Sequence, residues 1–269
     1  MSKAARRLAV GLEYDGTRYS GWQQQAGQPT IQESVQKALS AVADHAVTVV
    51  GSGRTDAGVH ACAQVAHFDT TADRPVRGWV LGANSHLPPD IAVNWALEVD
   101  SNFNARHTAQ ARVYRYCILK RATRPALLRD RACWVRAALN IGAMHEAAQA
   151  LVGEHDFTSF RAAECQSPTA KRHVDSISVT GEGPVVTIEV SANAFLQHMV
   201  RNIAGTLMQV GAGERPPAWV GETLAARDRT RAGITAPAGG LYLWRVRYPP
   251  SLQIPELVPS RPWAMIAGV

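Results

Sequence analysis

Leu8, Val10, Leu12 and Tyr14 occupy alternate positions in RLAVGLEY, residues 7–14. Side chains two apart share one face of a strand, so the segment predicts a half-buried strand. The period then changes. Ile31, Val35, Leu39 and Val42 recur at helical spacing in QPTIQESVQKALSAVAD, and Thr30 with Glu33 has the form of a capping box, which predicts a helix over 31–43. Strands are predicted at 47–51, 64–70 and 91–98, with a helix over 76–85. The resulting order, β-α-β-β-α-β, is ferredoxin-like: helices cover one face of an antiparallel sheet and leave the other available for contact.

Beyond Ala105, VYRYCILK at 113–120 predicts a strand and 132–136 a shorter one. Asn140 opens a predicted helix that Gly153 closes, and strands follow near 174–180 and 185–191. LQHMVRNIAGTLMQVG, residues 196–211, sets Leu196, Met199, Val200, Ile203, Leu207 and Val210 along one stripe, the mark of an amphipathic helix. LYLWRVRY is the last predicted strand. The chain thus divides into an N-terminal α+β half, 1–104, a C-terminal α+β half, 105–248, and a tail, 249–269, in which five prolines predict an extended segment. No sequence repeat links the halves, yet their similar content fits a pseudo-duplicated architecture.

Composition narrows the chemistry. With 269 residues, 46% of them hydrophobic, the chain can fill one large core or two ordinary ones, so it needs neither disulfides nor a structural metal. Cys62, Cys117, Cys133 and Cys165 include no CxxC pair, which removes zinc-knuckle and redox motifs and suits a reducing cytoplasm. No apolar run approaches the roughly 18 residues of a membrane span. A soluble, cytoplasmic protein is expected. Its net charge of +6 has the sign required for a phosphate-rich partner. Twenty-four of the 28 basic residues are arginines, which fork onto phosphates and stack on bases, although a GC-rich genome also enriches arginine.

The candidate chemistry centres on GSGRTDAGVHA, residues 51–61. Gly51, Gly53 and Gly58 fail the dinucleotide pattern, which needs glycine at position 56, and no Lys-Ser/Thr pair follows as in a Walker loop. Instead the glycines allow a tight turn through positive φ that displays Arg54 and Asp56 between two strands. An aspartate in such a turn can also simply bond its own backbone.

GRTDAGVHA resembles the signature of the tRNA pseudouridine synthases of the TruA family. YDGTRYSGWQQQ, NFNARHTAQARVYRY, EHDFTSF, NAFLQHMVRNIAG and GLYLWRV are similar to that family's other blocks, in the same order over residues 8–248. The resemblance implies the pseudouridine synthase fold: α+β, two ferredoxin-like-derived halves with mainly antiparallel sheets joined around a central cleft. It implies a cofactor-free, metal-free isomerase that detaches uracil from the ribose, turns it and reattaches it through C5. The implied partner is tRNA, at uridines 38, 39 and 40 of the anticodon stem-loop, and the implied assembly is a homodimer.

By the same resemblance Asp56 is the catalytic residue, a carboxylate suited to nucleophilic attack or to stabilising an oxocarbenium-like sugar. Burial under a nucleotide disfavours its charge and a neighbouring guanidinium restores it; the family points to Arg201. The helical pattern adds that Arg201 lies roughly 140° from the centre of its apolar stripe, away from its own core, where an ordinary solvated arginine would also lie. Tyr114 matches an active-site tyrosine that lies against the target base, while alternation equally puts it in the core with Tyr116 and Ile118. Leu241 matches a residue packing on the base, although a strand leucine is commonly core. Arg54 either reaches for phosphate and helps displace the base or braces its loop through a salt bridge. Where the family has arginine in GWQRQ, this chain has Gln24, so one RNA contact is absent or supplied elsewhere.

Two other readings remain open at this point. Asp56, His60, His67 and Asp69 could form the metal cluster of a hydrolase, with His67 and Asp69 on one strand face. Alternatively the open sheet face could serve a non-catalytic RNA-binding module, although 64–70 lacks the aromatic pattern of stacking modules.

Overall fold

A computed structural model describes residues 5–256 of the chain. In it the alternating segment forms β1 (Arg6–Tyr14), antiparallel to β3 (His60–Thr70) on one side and β4 (Ile91–Val99) on the other. Leu8 stands opposite Phe68, Val10 opposite Ala66 and Leu12 opposite Gln64, so these six share the face that packs under the helices α1 (Ile31–Ala43) and α2 (Val76–His86). Phe68 meets the fully buried Trp79 of α2 edge-on at 5.1 Å, a contact that adds aromatic geometry to a large apolar burial.

The predicted start of α1 holds, but its cap differs. Thr30 makes no side-chain cap bond, and its buried Oγ1 has no hydrogen-bond partner. The first two helical amides bond backbone instead: Ile31 N donates to Gly21 O at 3.1 Å and Gln32 N to Trp22 O at 3.0 Å. Glu33 turns to Lys37, one turn along, at 2.7 Å. Chain folded back from 21–22 therefore performs the task the capping box would have performed.

Of the strand expected at 47–51, only β2 (Val50–Gly51) joins the sheet, paired with β3. Side chains of α1 take the preceding amides: Val47 N donates to Ser40 Oγ and Val49 N to Gln36 Oε1. A second correction concerns the sheet face expected to be open. Ala9 and Gly11 are buried as fully as their neighbours, because the Trp95 ring lies over Gly11. Buried His67 meets Phe103 edge-on and accepts the Ala105 amide on Nδ1 at 3.1 Å. β1 and β3 are accordingly covered on both faces.

His67 supplies a pH prediction. Burial, reinforced by nearby Arg7, depresses its pKa, so the folded state resists a proton that the unfolded chain accepts near 6.5. A depressed histidine contributes stability above its unfolded pKa and loses it as pH falls below that value. Thermal midpoints of the parent chain should therefore drop between pH 7.5 and 5.5, and His67→Gln should flatten that drop; identical slopes in both proteins would contradict the assignment.

A second set of strands forms another sheet segment. β5 (Ala111–Lys120) pairs antiparallel with β9 (Val185–Ala192), β9 with β8 (Lys171–Glu182), and β8 with β7 (Gly153–Asp156). β6 (Cys133–Val135) runs parallel to β5, so pairing is mixed. Asn140 caps α3 (Ile141–Ala148), its side chain accepting from Ala143 N, as its sequence position predicts. The helix ends before Gly153, which at φ +103° instead begins β7, an element absent from the sequence pattern. α4 (Met199–Gly211) starts three residues later than predicted because His198 adopts the left-handed conformation, φ 61°. α5 (Ala218–Ala226) was also not predicted: Pro216 and Pro217 resemble a break but precede its first turn, where proline is tolerated. β10 (Leu241–Arg247) is the last strand.

The protein is thus α+β, with five α-helices among the described residues. It forms two compact units, one running to Gln110 and resuming at Leu243, the other comprising Ala111–Tyr242. Of the predicted proline-rich tail, residues 257–269 lie outside the described residues.

Candidate active site

The loop between β2 and β3 is fastened at nearly every residue around Arg54 and Asp56. Gln64, a polar side chain on the helix face of β3 and fully buried, accepts from Ser52 Oγ at 2.6 Å and donates to Gly53 O at 2.8 Å. Tyr14 OH and Thr55 Oγ1 share a buried hydrogen bond of 2.9 Å. Burial pushes the Tyr14 phenol well above its usual range, so it remains neutral. On the loop's other side Trp22 N donates to Thr55 O and Gly58 N to Tyr19 O. Val59 N closes the turn onto Asp56 O at 3.1 Å. Within this bracing Arg54 is exposed and Asp56 half-buried.

Close backbone approach makes that packing possible. Gly21, at φ +93°, passes so near the loop that a Cβ would lie 2.5 Å from Thr55 O and 3.0 Å from the Asp56 carbonyl carbon. Among the three glycines of the loop motif only Gly58 takes positive φ, so the expectation that all three serve the turn is corrected. Gly51 instead admits the Trp22 ring, whose nearest atom would be 2.5 Å from a Cβ.

Arg201, Tyr114 and Leu241 all belong to the second unit. The α4 surface that carries Arg201 is covered by residues 229–236, so Arg201 is half-buried rather than the solvated arginine the helical pattern also allows. Its Nε donates to Ala236 O at 2.8 Å, and Ala236 N donates back to Arg201 O at 3.1 Å. Tyr114 on β5 is 6% exposed and packs edge-on against Phe195, ring centres 4.8 Å apart. Leu241, also buried, follows a short turn at 238–240, and the preceding Pro237 O accepts from Tyr116 OH at 2.8 Å. Arg201 and Leu241 therefore flank one segment, fastened at Ala236 and Pro237.

Three of the four residues of the metal reading are engaged elsewhere. His60 Nδ1 accepts the Gly16 amide, His67 Nδ1 accepts that of Ala105, and Asp69 forms a two-pronged pair with Arg7 at 2.7 Å. Among the described residues no group of three or more His, Cys, Asp or Glu is placed to hold a metal ion. Gln24 is tied to α1, its amide donating to Gln32 Oε1 and its Oε1 accepting from Gln36 Nε2. No helix among the described residues is long and apolar enough to cross a membrane.

Tyr14, Gln64 and Gly21 escaped the sequence reading. Gln64 had a signal: in the run ACAQVAHF it is the one polar residue on the face shared with Leu12 and Phe68. Gly21 had none, because its need arises from a loop more than thirty residues away.

Together the fold and loop define an α+β protein that presents one carboxylate on a braced inter-strand loop. A family model described as tRNA pseudouridine synthase matches residues 12–107 and 147–249. The chain belongs to that family. It is 52% identical over 251 residues to a tRNA pseudouridine synthase A of Aeromonas hydrophila, covering 93% of each chain. The protein of the same name in Methylococcus capsulatus is 56% identical over 243 residues, 90% of each chain. That of Nitrosococcus oceani is 53% identical over 256 residues, 95% of this chain and 98% of its own.

Proposed function

We propose that the protein isomerises uridine to pseudouridine at positions 38, 39 and 40 of the tRNA anticodon stem-loop, with Asp56 as its catalytic group. The C1′–N1 glycosidic bond breaks and a C1′–C5 bond forms, while C5 loses a proton and N1 gains one, so product and substrate have the same atoms. No redox partner or phosphoryl donor enters that balance. A fixed carboxylate suits it, as nucleophile or as counter-charge to an oxocarbenium-like sugar.

The observation carrying this reading is the bracing of the loop. Ser52, Gly53 and Thr55 are held by Gln64 and Tyr14, so Asp56 is ordered before substrate arrives, which is what electrostatic catalysis requires. In the proposed arrangement two ferredoxin-like halves meet at a central cleft, where the Arg201 guanidinium keeps Asp56 ionised under the bound nucleotide. Tyr114 and Leu241 receive the extruded base, and stacking there offsets part of the few kcal/mol lost on unstacking. Arg54 projects from the loop to phosphate or into the space left by the base. A cytoplasmic homodimer completes the proposal, with arginines of both copies meeting one tRNA.

Arg201→Ala tests the pairing. It should lower kcat by about 100-fold or more and change tRNA affinity by less than about threefold. The reverse pattern would make Arg201 a phosphate contact.

Backbone phosphates are assigned to the arginine-rich surface. Residues 120–136 carry six basic side chains, Lys120, Arg121, Arg124, Arg129, Arg131 and Arg136, against the single acid Asp130. All five arginines are exposed, with Arg136 stacked over Trp134 at 5.7 Å. Log affinity for tRNA should fall steeply with log salt, and replacing Arg124 and Arg136 with Gln should flatten the slope by about 1–2. An unchanged slope would remove this segment from the interface.

A further inference from the structure

We infer that residues Arg229–Pro237 form a strap that fixes the Arg201 guanidinium, and that Asn202, Arg229 and Thr235 are positioning residues acting on the reaction through it. The inference rests on the role proposed above for Arg201.

The strap lies directly on α4. A Cβ on Gly205 would be 1.8 Å from Ile234 O, so only glycine lets the two backbones approach this closely. Asn202, fully buried, is the hub: its Nδ2 donates to Phe160 O at 2.8 Å, and its Oδ1 accepts from Thr235 Oγ1 at 2.7 Å and Arg229 Nη2 at 3.1 Å. Arg229 also donates to Thr235 Oγ1 at 3.0 Å and Gly233 O at 3.0 Å, binding the strap to itself as well as to the helix. Thr206 adds a relay, donating to Asn202 O at 2.8 Å and accepting from Gly233 N at 3.0 Å. At the strap's far end Tyr116 OH holds Pro237 O.

Arg201 is bonded to this strap through its side chain, by the Nε bond to Ala236 O. Fixing Nε fixes the plane of the whole guanidinium, and hence the direction of its two Nη groups. A long arginine loses about 2 kcal/mol of rotamer freedom when ordered. Here folding imposes that order before substrate binds, and Asn202, Arg229 and Thr235 maintain it without needing to touch the nucleotide. A multiply bonded polar network anchored on buried Asn202 and Thr206 is suited to this task because it has few alternative arrangements.

The test is a double-mutant cycle in which Thr235→Val, nearly isosteric, removes the hydroxyl. It should lower kcat about 10-fold, leave KM for tRNA and the thermal midpoint near those of the parent chain, and be rescued by Thr235→Ser. In an Arg201→Ala background the same change should have no further effect on kcat, because the group it positions is gone. Arg229→Lys, which keeps charge but loses the fork, should behave likewise. If both changes leave kcat unaltered while Arg201→Ala lowers it, the strap has no positioning role. Effects that multiply in the Arg201→Ala background would assign these residues a route independent of Arg201 and also overturn the inference. Unchanged kcat in Arg201→Ala itself would defeat the proposed role of Arg201 and the strap with it.

Discussion

Asp56→Asn should bind tRNA within about threefold of the parent chain yet convert uridine at least about 1,000-fold more slowly, a loss in the range expected when a group acting directly on the reacting atoms is removed. Asparagine nearly matches aspartate in shape, and the loop is ordered by bonds to neighbouring residues on both sides of Asp56. Ser52 and Gly53 hang on Gln64, Thr55 on Tyr14 and the Trp22 amide, and Gly58 on Tyr19 O. The substitution therefore removes charge while keeping these bonds of the scaffold. Equal losses of affinity and rate would indicate a loop held together by Asp56, contrary to the bonding described.

Gly21→Ala should be the most damaging change outside the reacting groups. At φ +93° an L-residue is strained, and its Cβ would collide at 2.5 Å with Thr55 O, a backbone atom that cannot swing aside as a flexible side chain can. Strain and overpacking together should cost about 2–4 kcal/mol. The collision would push on the two residues that set the position of Asp56, while also disturbing the carbonyl that accepts the first amide of α1. Lower stability should therefore accompany a fall in kcat that persists well below the variant's unfolding temperature. Normal kcat in the folded variant would mean that the loop does not depend on its support at 19–22.

Much of the fold was legible because its signals are local. The period-two run of β1 and the helical stripe of α1 report their own burial, and α1 was placed at its observed limits. Where tertiary partners compete for backbone groups, local pattern misled. Thr30 and Glu33 look like a capping box, but carbonyls of Gly21 and Trp22 reach the helix end first. Residues 47–49 look like strand, but Ser40 and Gln36 take two of their amides. The open sheet face failed for the same reason, since the Trp95 ring reaches across from the neighbouring strand β4 and Phe103 folds back from beyond it, contacts that no periodicity encodes.

The site divides similarly. Asp56 stood out because glycines and an arginine crowd around it in eleven residues, and the family motif singled it out. Its supports did not stand out: Tyr14 reads as the last apolar position of a strand, and only its hydroxyl bond to Thr55 gives it another role. Arg201 was visible by motif, whereas Arg229 and Thr235 lie about thirty residues downstream in an irregular segment and meet it only through folding.

Tritium at C5 of uridine offers the most direct test, because forming the C1′–C5 bond requires that hydrogen to leave. Purified protein incubated with such tRNA, without added metal or nucleotide, should release one tritium per uridine converted, and Asp56→Asn should release essentially none in the same time. Binding without release, release abolished by a chelator, or undiminished release from Asp56→Asn would each contradict the account.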